Sequence, residues 1–527
     1  MKKEKIVSAE QALNLISDHD HIAISAAGLV GYPDYIVKCL EERFLSTGHP
    51  SALHLYAGCG HGVPYLHQGD QRFGHEGFLK RVICSHPDVV PELRMLIETD
   101  KLEAYVLPQG VLQHLYRCSA SHEPGLLTKI GIGTYIDPRQ DGGKLNRVTR
   151  TDIVHLMTID EEEYLFYQSF PVQVAIIRGT TADEDGNVTI EHEALKLEIL
   201  ELALAAKANH GVVIVQVERV AARNTLPPKE VVIPGELVDA VVVTERPEEY
   251  HRATAGTVYS SYMSGEVRCP PAAAAPPKTE LAADDIICRR ALFELYPGAI
   301  VNVGVGIGAG IGPAAALEGI QDKVTFTLEL GVFGGIPQQG KDFGVAVNPT
   351  SFLSHTSMFD FYHGGGLNIT FLGAAQIDRN GNVNVSKFAG RAAGQGGFID
   401  ISQTAQKVVF CTYFKAKGFR SSISNGSLSI LQEGTIPKFV EHVDQITFNG
   451  TLARQRGAEV YFITERCVFL LKAEGLTLVE IAPGIDLQRD ILDQMSFRPA
   501  IDPELRTMDV RIFQPGRMGC FDSWNTV

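Results

Sequence analysis

Residues 302–313 read N-V-G-V-G-I-G-A-G-I-G-P. They close an apolar run that begins at Ile300 and lead into a helical one, Ala314–Leu317. Glycine accepts backbone angles that other residues resist and lets a neighbouring chain or a ligand come close. The stretch therefore predicts a strand, a tight turn and a helix, the opening of a parallel α/β unit. The same grammar recurs along the chain. Short β-branched runs at Ile22–Ser25, Val174–Ile177, Val212–Val217 and Leu237–Val243 alternate with helical patterns such as Ala194–Ala206. Alternation of this kind implies parallel sheets covered by helices.

Val267–Lys278 reads V-R-C-P-P-A-A-A-A-P-P-K, with four prolines and neither a helical nor a strand period. Proline fixes φ and removes backbone donors, so an extended linker is expected there. It divides the 527 residues into an α/β domain at 1–266, the linker at 267–278 and a second α/β domain at 279–527, consistent with a chain too long for one core. The halves echo each other. Asp183-x-x-Gly186-Asn187-Val188 follows one predicted strand and Asp378-x-x-Gly381-Asn382-Val383 another, and Ile22–Gly28 opens the first half as Ile300–Gly306 opens the second. Two related open α/β domains with mostly parallel sheets are expected, with the active site between them.

Composition removes several function classes. The formal charge is -15 and no Lys/Arg-rich run occurs, which argues against a nucleic-acid footprint and leaves room only for a local basic patch that holds an anionic ligand. Nine cysteines are scattered without a C-x-x-C spacing, so reduced thiols are expected rather than a zinc site or a disulfide framework. The start, M-K-K-E-K-I-V-S, lacks the apolar segment of a signal peptide. Apolar runs fall far short of the roughly 20 residues a membrane helix needs. A cytoplasmic protein without membrane contact is expected.

The chemistry-bearing residues cluster around glycines. A strand-to-helix glycine turn at 302–313 suits a phosphate-bearing ligand. It contains G-x-G-x-x-A at Gly304–Ala309 with an acidic residue, Glu329, after the next strand, which leaves an NAD-linked oxidoreductase open. The strand Val324–Leu328 delivers Glu329 either to a cleft or to solvent as a plain strand-end carboxylate, and L-G-V-F-G-G-I-P then prolongs a loop through Gly331, Gly334, Gly335 and Pro337. Three segments are rich in backbone donors: F-Y-H-G-G-G (361–366), G-Q-G-G-F (394–398) and G-C-G-H-G (58–62). Such loops form oxyanion pockets or simple bends. His61, His355 and His363 lie near them without metal-ligand spacing and read as hydrogen-bonded structural histidines, so no metal is expected. A G-x-S-x-G elbow is missing from the sequence.

T-L-E-L-G-V-F-G-G (327–335) beside G-V-G-I-G-A-G-I-G (304–312) resembles the family I CoA-transferases, in particular the single-chain propionate/acetate type. P-Q-G-V-L (108–112), G-I-G-T-Y-I-D-P-R-Q-D-G-G-K-L-N (131–146), F-D-F-Y-H-G-G-G-L (359–367), N-V-S-K-F (384–388) and E-I-A-P-G-I-D (480–486) extend the likeness across the chain. The resemblance implies Glu329 as nucleophile, an oxyanion-forming loop at Gly394, Gly396 and Gly397, a CoA-facing turn at Gly304, Val305 and Gly306, and Gln109 on the substrate side. It implies ping-pong transfer of CoA between a short-chain acyl-CoA and a free short-chain carboxylate through a glutamyl-CoA thioester. Coenzyme A would be co-substrate, with no tightly bound cofactor, and the protein a homo-oligomer, a tetramer by the same likeness. An acyl-CoA hydrolase on this fold is the alternative. Leu330, where a smaller or hydroxyl residue often stands, and C-T-Y-F-K-A-K-G (411–418) depart from the family pattern.

Overall fold

The computed structural model describes residues 4–270, 278–388 and 390–525, so the middle of the expected linker, 271–277, lies outside the described residues. The chain forms two compact units. The first comprises the chain up to Arg268 together with Glu329–Asp360 and Phe388–Asp400; the second comprises Cys269–Leu328, Phe361–Lys387 and the chain from Ile401 onward. The continuous domains expected at 1–266 and 279–527 are therefore interrupted, because two later segments, one beginning at Glu329, pack with the N-terminal portion. A proline-rich stretch marks where the chain lacks a core of its own; long-range packing decides which segments share one.

In the first unit, β1 (His21–Ile24), β2 (Leu53–Ala57), β3 (Leu79–Cys84), β4 (Glu103–Val106), β5 (Val174–Arg178), β6 (Val212–Val217) and β7 (Ala240–Val243) form a seven-stranded sheet. Its order is β7-β6-β5-β1-β2-β3-β4, and every neighbouring pair is parallel. All of β5, V-A-I-I-R, is buried, as a strand covered on both faces requires. Since the chain runs from β1 outward to β4 and resumes at β5 on the other side of β1, the strand order reverses beside β1. Ligand sites of open parallel sheets lie at such reversals, beyond the carboxyl ends of the strands.

The second unit carries β8 (Ile300–Val303), β9 (Thr325–Leu328), β10 (Ile369–Leu372), β11 (Lys407–Cys411), β12 (Glu459–Ile463), β13 (Cys467–Lys472), β14 (Gly475–Ile481) and β15 (Ala500–Thr507). They lie in the order β9-β8-β10-β11-β12-β13-β14-β15. Pairing is parallel from β9 to β12, antiparallel through β13 and β14, and parallel again to β15. Among the described residues no helix is long and apolar enough to cross a membrane.

The internal echo extends to individual hydrogen bonds. Asp183 accepts from the amides of Asp185 and Asn187 and from Asn187 Nδ2, at 3.0, 2.9 and 2.9 Å. Asp378 accepts from Asn380, Asn382 and Asn382 Nδ2 at 2.9, 3.0 and 2.9 Å. Each Asn Oδ1 then accepts from a distant glycine amide, Gly235 at 2.9 Å and Gly450 at 3.0 Å. Gly186 and Gly381 turn the chain at φ +87° and +72°. A generic Asx-turn explains the local bonds. It does not explain the shared long-range one, so the two units are related folds.

Three sequence expectations differ. The helix expected at Ala194–Ala206 begins at Ile199 and runs to Ala208, because Leu197 sits at φ +52° with its carbonyl accepting from the His355 amide at 3.1 Å. The last apolar run becomes a strand only from Ala240, since Gly235–Leu237 forms a 3-10 turn. The loop expected after Glu329 is two short antiparallel ladders, Val332–Phe333 with Ser351–Phe352 and Ile336–Pro337 with Ala346–Val347.

Two stability predictions follow from these contacts. Asp183→Ala and Asp378→Ala each leave buried donors without an acceptor, which costs about 1–3 kcal/mol per group; each variant should unfold at lower urea concentration than the parent, and an unchanged midpoint would contradict the assigned role. At the amino edge of the first sheet, His21 pairs with His54 in register and stacks on it at 4.2 Å. Burial, with the charges of His21 and Arg81, lowers the His54 pKa from 6.5 to about 4. Between these values the unfolded chain binds more protons than the folded one, so stability is lost as pH falls through the window and is unaffected above it. His54→Gln should flatten the decline of Tm from pH 6.5 to 4; an identical slope in parent and variant would remove His54 from the account.

Candidate active site

The loops at the carboxyl edge of the first sheet are built by close backbone approach. Beyond β2, a Cβ at Gly58 would stand 2.5 Å from Gln113 Nε2, and one at Gly60 would stand 2.7 Å from Val89 Cγ2 and 3.1 Å from His86 Cβ. The Gly28 amide, beyond β1, donates to the Gly60 carbonyl at 2.8 Å. G-C-G-H-G is thus a packed loop and not a surface bend.

Beyond β3, Ser85 holds the Gly394–Gly397 segment. Its carbonyl accepts from the amides of Gln395 at 3.1 Å and Gly396 at 2.9 Å. Gly394 has φ +78°, and a Cβ there would meet Pro87 Cδ at 2.6 Å and Ser85 O at 2.7 Å. Tyr135 OH donates to Gln395 Oε1. The Gly396 amide, expected as an oxyanion donor, is therefore already used by Ser85; its carbonyl in turn accepts from the Gln109 amide at 3.2 Å. The buried Gly397 amide has no acceptor among the described residues.

Gln109 opens the helix Gln109–Ser121 and is 2% exposed. Its Nε2 lies 2.8 Å from His355 Nε2, and His355 Nδ1 lies 2.8 Å from Glu198 Oε2. At the next residue the Gly110 amide donates to Asp400 Oδ2 at 3.1 Å, so a buried carboxylate caps this helix. A Cβ at Gly110 would collide with Asp400 Oδ1 and Phe359, both at 2.6 Å.

Glu329 is the first residue beyond β9 and is half-buried. Burial pushes the Cys59 thiol well up, and the negative charges of Glu329 and then Glu198 push it the same way. Cys59 in the β2 loop therefore lies within electrostatic reach of both carboxylates. Leu330 is 5% exposed and points at Gly344, where a Cβ would be 3.0 Å from its Cδ1. Ser25 Oγ, Ser85 Oγ, Gln395 Nε2, Glu198 Oε1 and both amide atoms of Gln113 are buried without a hydrogen-bond partner among the described residues. Buried polar atoms left in this way call for a polar partner.

In the second unit, the Gly304 amide beyond β8 donates to Phe371 O at 2.8 Å, and a Cβ on Gly304 would lie 3.2 Å from that oxygen. Gly306 has φ +83° with open space where a Cβ would stand, and Val305 between them is 59% exposed. A 3-10 turn, Gly306–Gly310, precedes the helix Ile311–Glu318. At the same carboxyl edge Lys438 Nζ donates to Ala374 O at 2.7 Å and Thr412 Oγ1 at 2.5 Å, and burial lowers its pKa to about 8. The structure thus gathers Gln109, Glu329, Gly394, Gly396 and Gly397 in the first unit and holds Gly304, Val305 and Gly306 in the second.

Sequence reasoning missed Glu198, Cys59 and Asp400 as neighbours of the site. None of them carried a local signal: Glu198 stands in L-K-L-E-I-L-E-L (195–202), where Lys196 and Glu201 are charged as well. Among the described residues no group of three or more His, Cys, Asp or Glu is arranged to hold a metal ion.

The coenzyme A transferase family model matches residues 6–244. The acetate CoA-transferase YdiF of Escherichia coli K12 is 42% identical over 517 residues, 98% of this chain and 96% of its own. The chain belongs to the coenzyme A transferases. The caffeate CoA-transferase of Acetobacterium woodii is 44% identical to the transferase, over 97% of each chain. The acyl-CoA transferase YdiF of E. coli O157:H7, solved as a thioester complex with CoA, matches it with a TM-score of 0.91 at 41% identity, over 98% of this chain and 97% of that one. The two-domain α/β architecture and the CoA-transferase activity expected from the sequence stand, with acyl-CoA and carboxylates as substrates. Neither the NAD-linked nor the hydrolytic alternative gains support from these likenesses.

Gly394→Ala should lower the transfer rate of the transferase by about tenfold or more, since displacement of a positioned group by about 1 Å costs up to a hundredfold. Steady-state rates with acetyl-CoA test this, and parental activity would show that the Ser85 contact is dispensable.

Proposed function

We propose that the protein passes CoA from a short-chain acyl-CoA to a free carboxylate of the acetate, propionate or butyrate class through a thioester on Glu329. The carrying observation is Glu329 itself: a half-buried carboxylate delivered by a strand end into the unit that holds Gln109 and the Gly394–Gly397 segment. A carboxylate is a mild nucleophile, but a thioester is activated and releases a thiolate, so no separate base is required.

The steps balance without an external reagent. A Glu329 carboxylate oxygen bonds to the acyl carbon as the carbon–sulfur bond breaks, giving a mixed anhydride and CoA thiolate. The thiolate attacks the glutamyl carbonyl, the carbon–sulfur bond forms, and the acyl group leaves as its carboxylate. An acceptor carboxylate then runs both steps in reverse. Each attack passes through a tetrahedral oxyanion, for which the Gly397 amide is the proposed donor, with Gln109 on the acyl side. One preorganised donor contributes about 3–4 kcal/mol in comparable sites. The Gly304–Gly306 turn, with exposed Val305, is the proposed contact for CoA.

The names of the relatives support the chemistry and widen the choice of acid, since one acts on acetate and another on caffeate. Incubation with acetyl-CoA alone, followed by borohydride reduction and peptide mass analysis, should mark Glu329. Glu329→Gln should slow exchange of labelled acetate by a factor on the order of a thousand or more; exchange at the parental rate would end the proposal. Acetate, propionate, butyrate and caffeate compared as acceptors would rank the acids, and a clear preference for caffeate would overturn the short-chain assignment.

A further inference from the structure

Glu198, His355 and Gln109 form a chain of two hydrogen bonds that the transfer chemistry above leaves unused. Glu198 and His355 are both 0% exposed. The backbone holds them as well, because the His355 amide donates to the carbonyl of Leu197, the residue before Glu198. Glu198 Oε1 has no hydrogen-bond partner among the described residues, so the imidazole at Oε2 is the partner its carboxyl group has there. Keeping a carboxyl group in such a place is costly, and a glutamine would fill the same volume.

What a carboxylate does that an amide does not is fix the direction of the chain. In its ionised form it can only accept, which places the hydrogen of the His355 ring on Nδ1. A neutral imidazole held in this way presents a bare Nε2, which can only accept as well. At 2.8 Å it takes a hydrogen from the Gln109 NH2 group and rejects the Gln109 carbonyl. The amide is left with its Oε1 on the opposite side, toward Gly396, where a Cβ would stand 3.4 Å from it. An unconstrained glutamine has two orientations of nearly equal shape and opposite polarity; here only one satisfies the chain.

We propose that Glu198 and His355 are positioning residues for the transfer reaction, fixing which end of the Gln109 amide meets the acyl group. The proposal rests on the reading of Gln109 as an acyl-side group. It requires both residues to act through Gln109, which a purely architectural role would not.

The test is a double-mutant cycle on the full-length protein, read as the single-turnover rate of Glu329 thioester formation from acetyl-CoA. Glu198→Gln keeps the volume but can donate to Nδ1, which moves the ring hydrogen to Nε2 and turns the amide over. It should slow thioester formation by about tenfold or more while leaving KM for acetyl-CoA unchanged. In a Gln109→Ala background the same substitution should have no further effect. An equal slowing in both backgrounds, or no slowing in the parent, would overturn the proposal. If Gln109→Ala alone leaves the rate at the parental value, the assignment of Gln109 fails first, and the relay with it. Circular dichroism and Tm establish that the variants fold; should Glu198→Gln not fold, His355→Gln passes through the same cycle with the same two outcomes.

Discussion

A single carbonyl oxygen, that of Ser85 at the end of β3, receives two amide hydrogens from residues far along the chain, Gln395 and Gly396. The rest of the candidate site is set from that junction. With both amides drawn onto the strand end, the Gly394 backbone lies so close to Ser85 and Pro87 that a methyl group could not fit. The Gly396 carbonyl is then directed at the first amide of the helix Gln109–Ser121, while Asp400 receives the second. Main-chain bonds thus fix where Gln109 begins. Only its last torsions remain for side-chain neighbours to decide, and the His355–Glu198 pair meets it there.

The two edges of the first sheet differ in how they treat polar groups. At the amino edge, His21 and His54 stack on each other, and burial keeps them from taking protons. At the carboxyl edge, carboxylates are kept inside: Glu198, Asp400 and, more openly, Glu329. The difference follows from parallel pairing. Every strand ends on the same side, so each contributes a loop there, and the loops supply the amides and hydroxyls that let polar chemistry persist in an otherwise apolar layer. Helices that close the βα units cover both faces and leave that edge as the place where backbone donors can gather.

What could be read from the sequence was local. The strand, turn and helix at 300–318 and the paired Asp-x-x-Gly-Asn turns are determined by residues within a few positions of one another, and they appear where their glycines and asparagines put them. The place of Glu329 at a strand end was visible for the same reason, since it follows the apolar strand directly. The failures were long-range. Ala194–Leu202 is made of strong helix formers, yet the helix waits until Ile199 because the His355 amide captures the Leu197 carbonyl from well over a hundred residues away. The pairing of Val332–Phe333 with Ser351–Phe352 depends on a partner that no local pattern announces. His355 read as a structural histidine because its partners, Glu198 and Gln109, come from elsewhere in the chain.

The glycine run at 302–313 shows why such motifs serve several readings at once. Gly304 and Gly308 are small because the Phe371 carbonyl passes at 3.2 and 3.0 Å from where a Cβ would be, and Gly310 because Cys288 Sγ would lie at 2.7 Å. Those three positions are explained by packing within the second unit and carry no information about a ligand. Gly306 differs: its φ of +83° demands glycine, while the space above it is open. Beside it stands Val305, an apolar side chain 59% exposed at the carboxyl edge of a parallel sheet. A fingerprint such as G-x-G-x-x-A counts the packing glycines and the open one alike, which is how it came to suggest a dinucleotide. With the packing positions set aside, the exposed part of the motif narrows to Val305 and Gly306, one apolar side chain and one bare peptide.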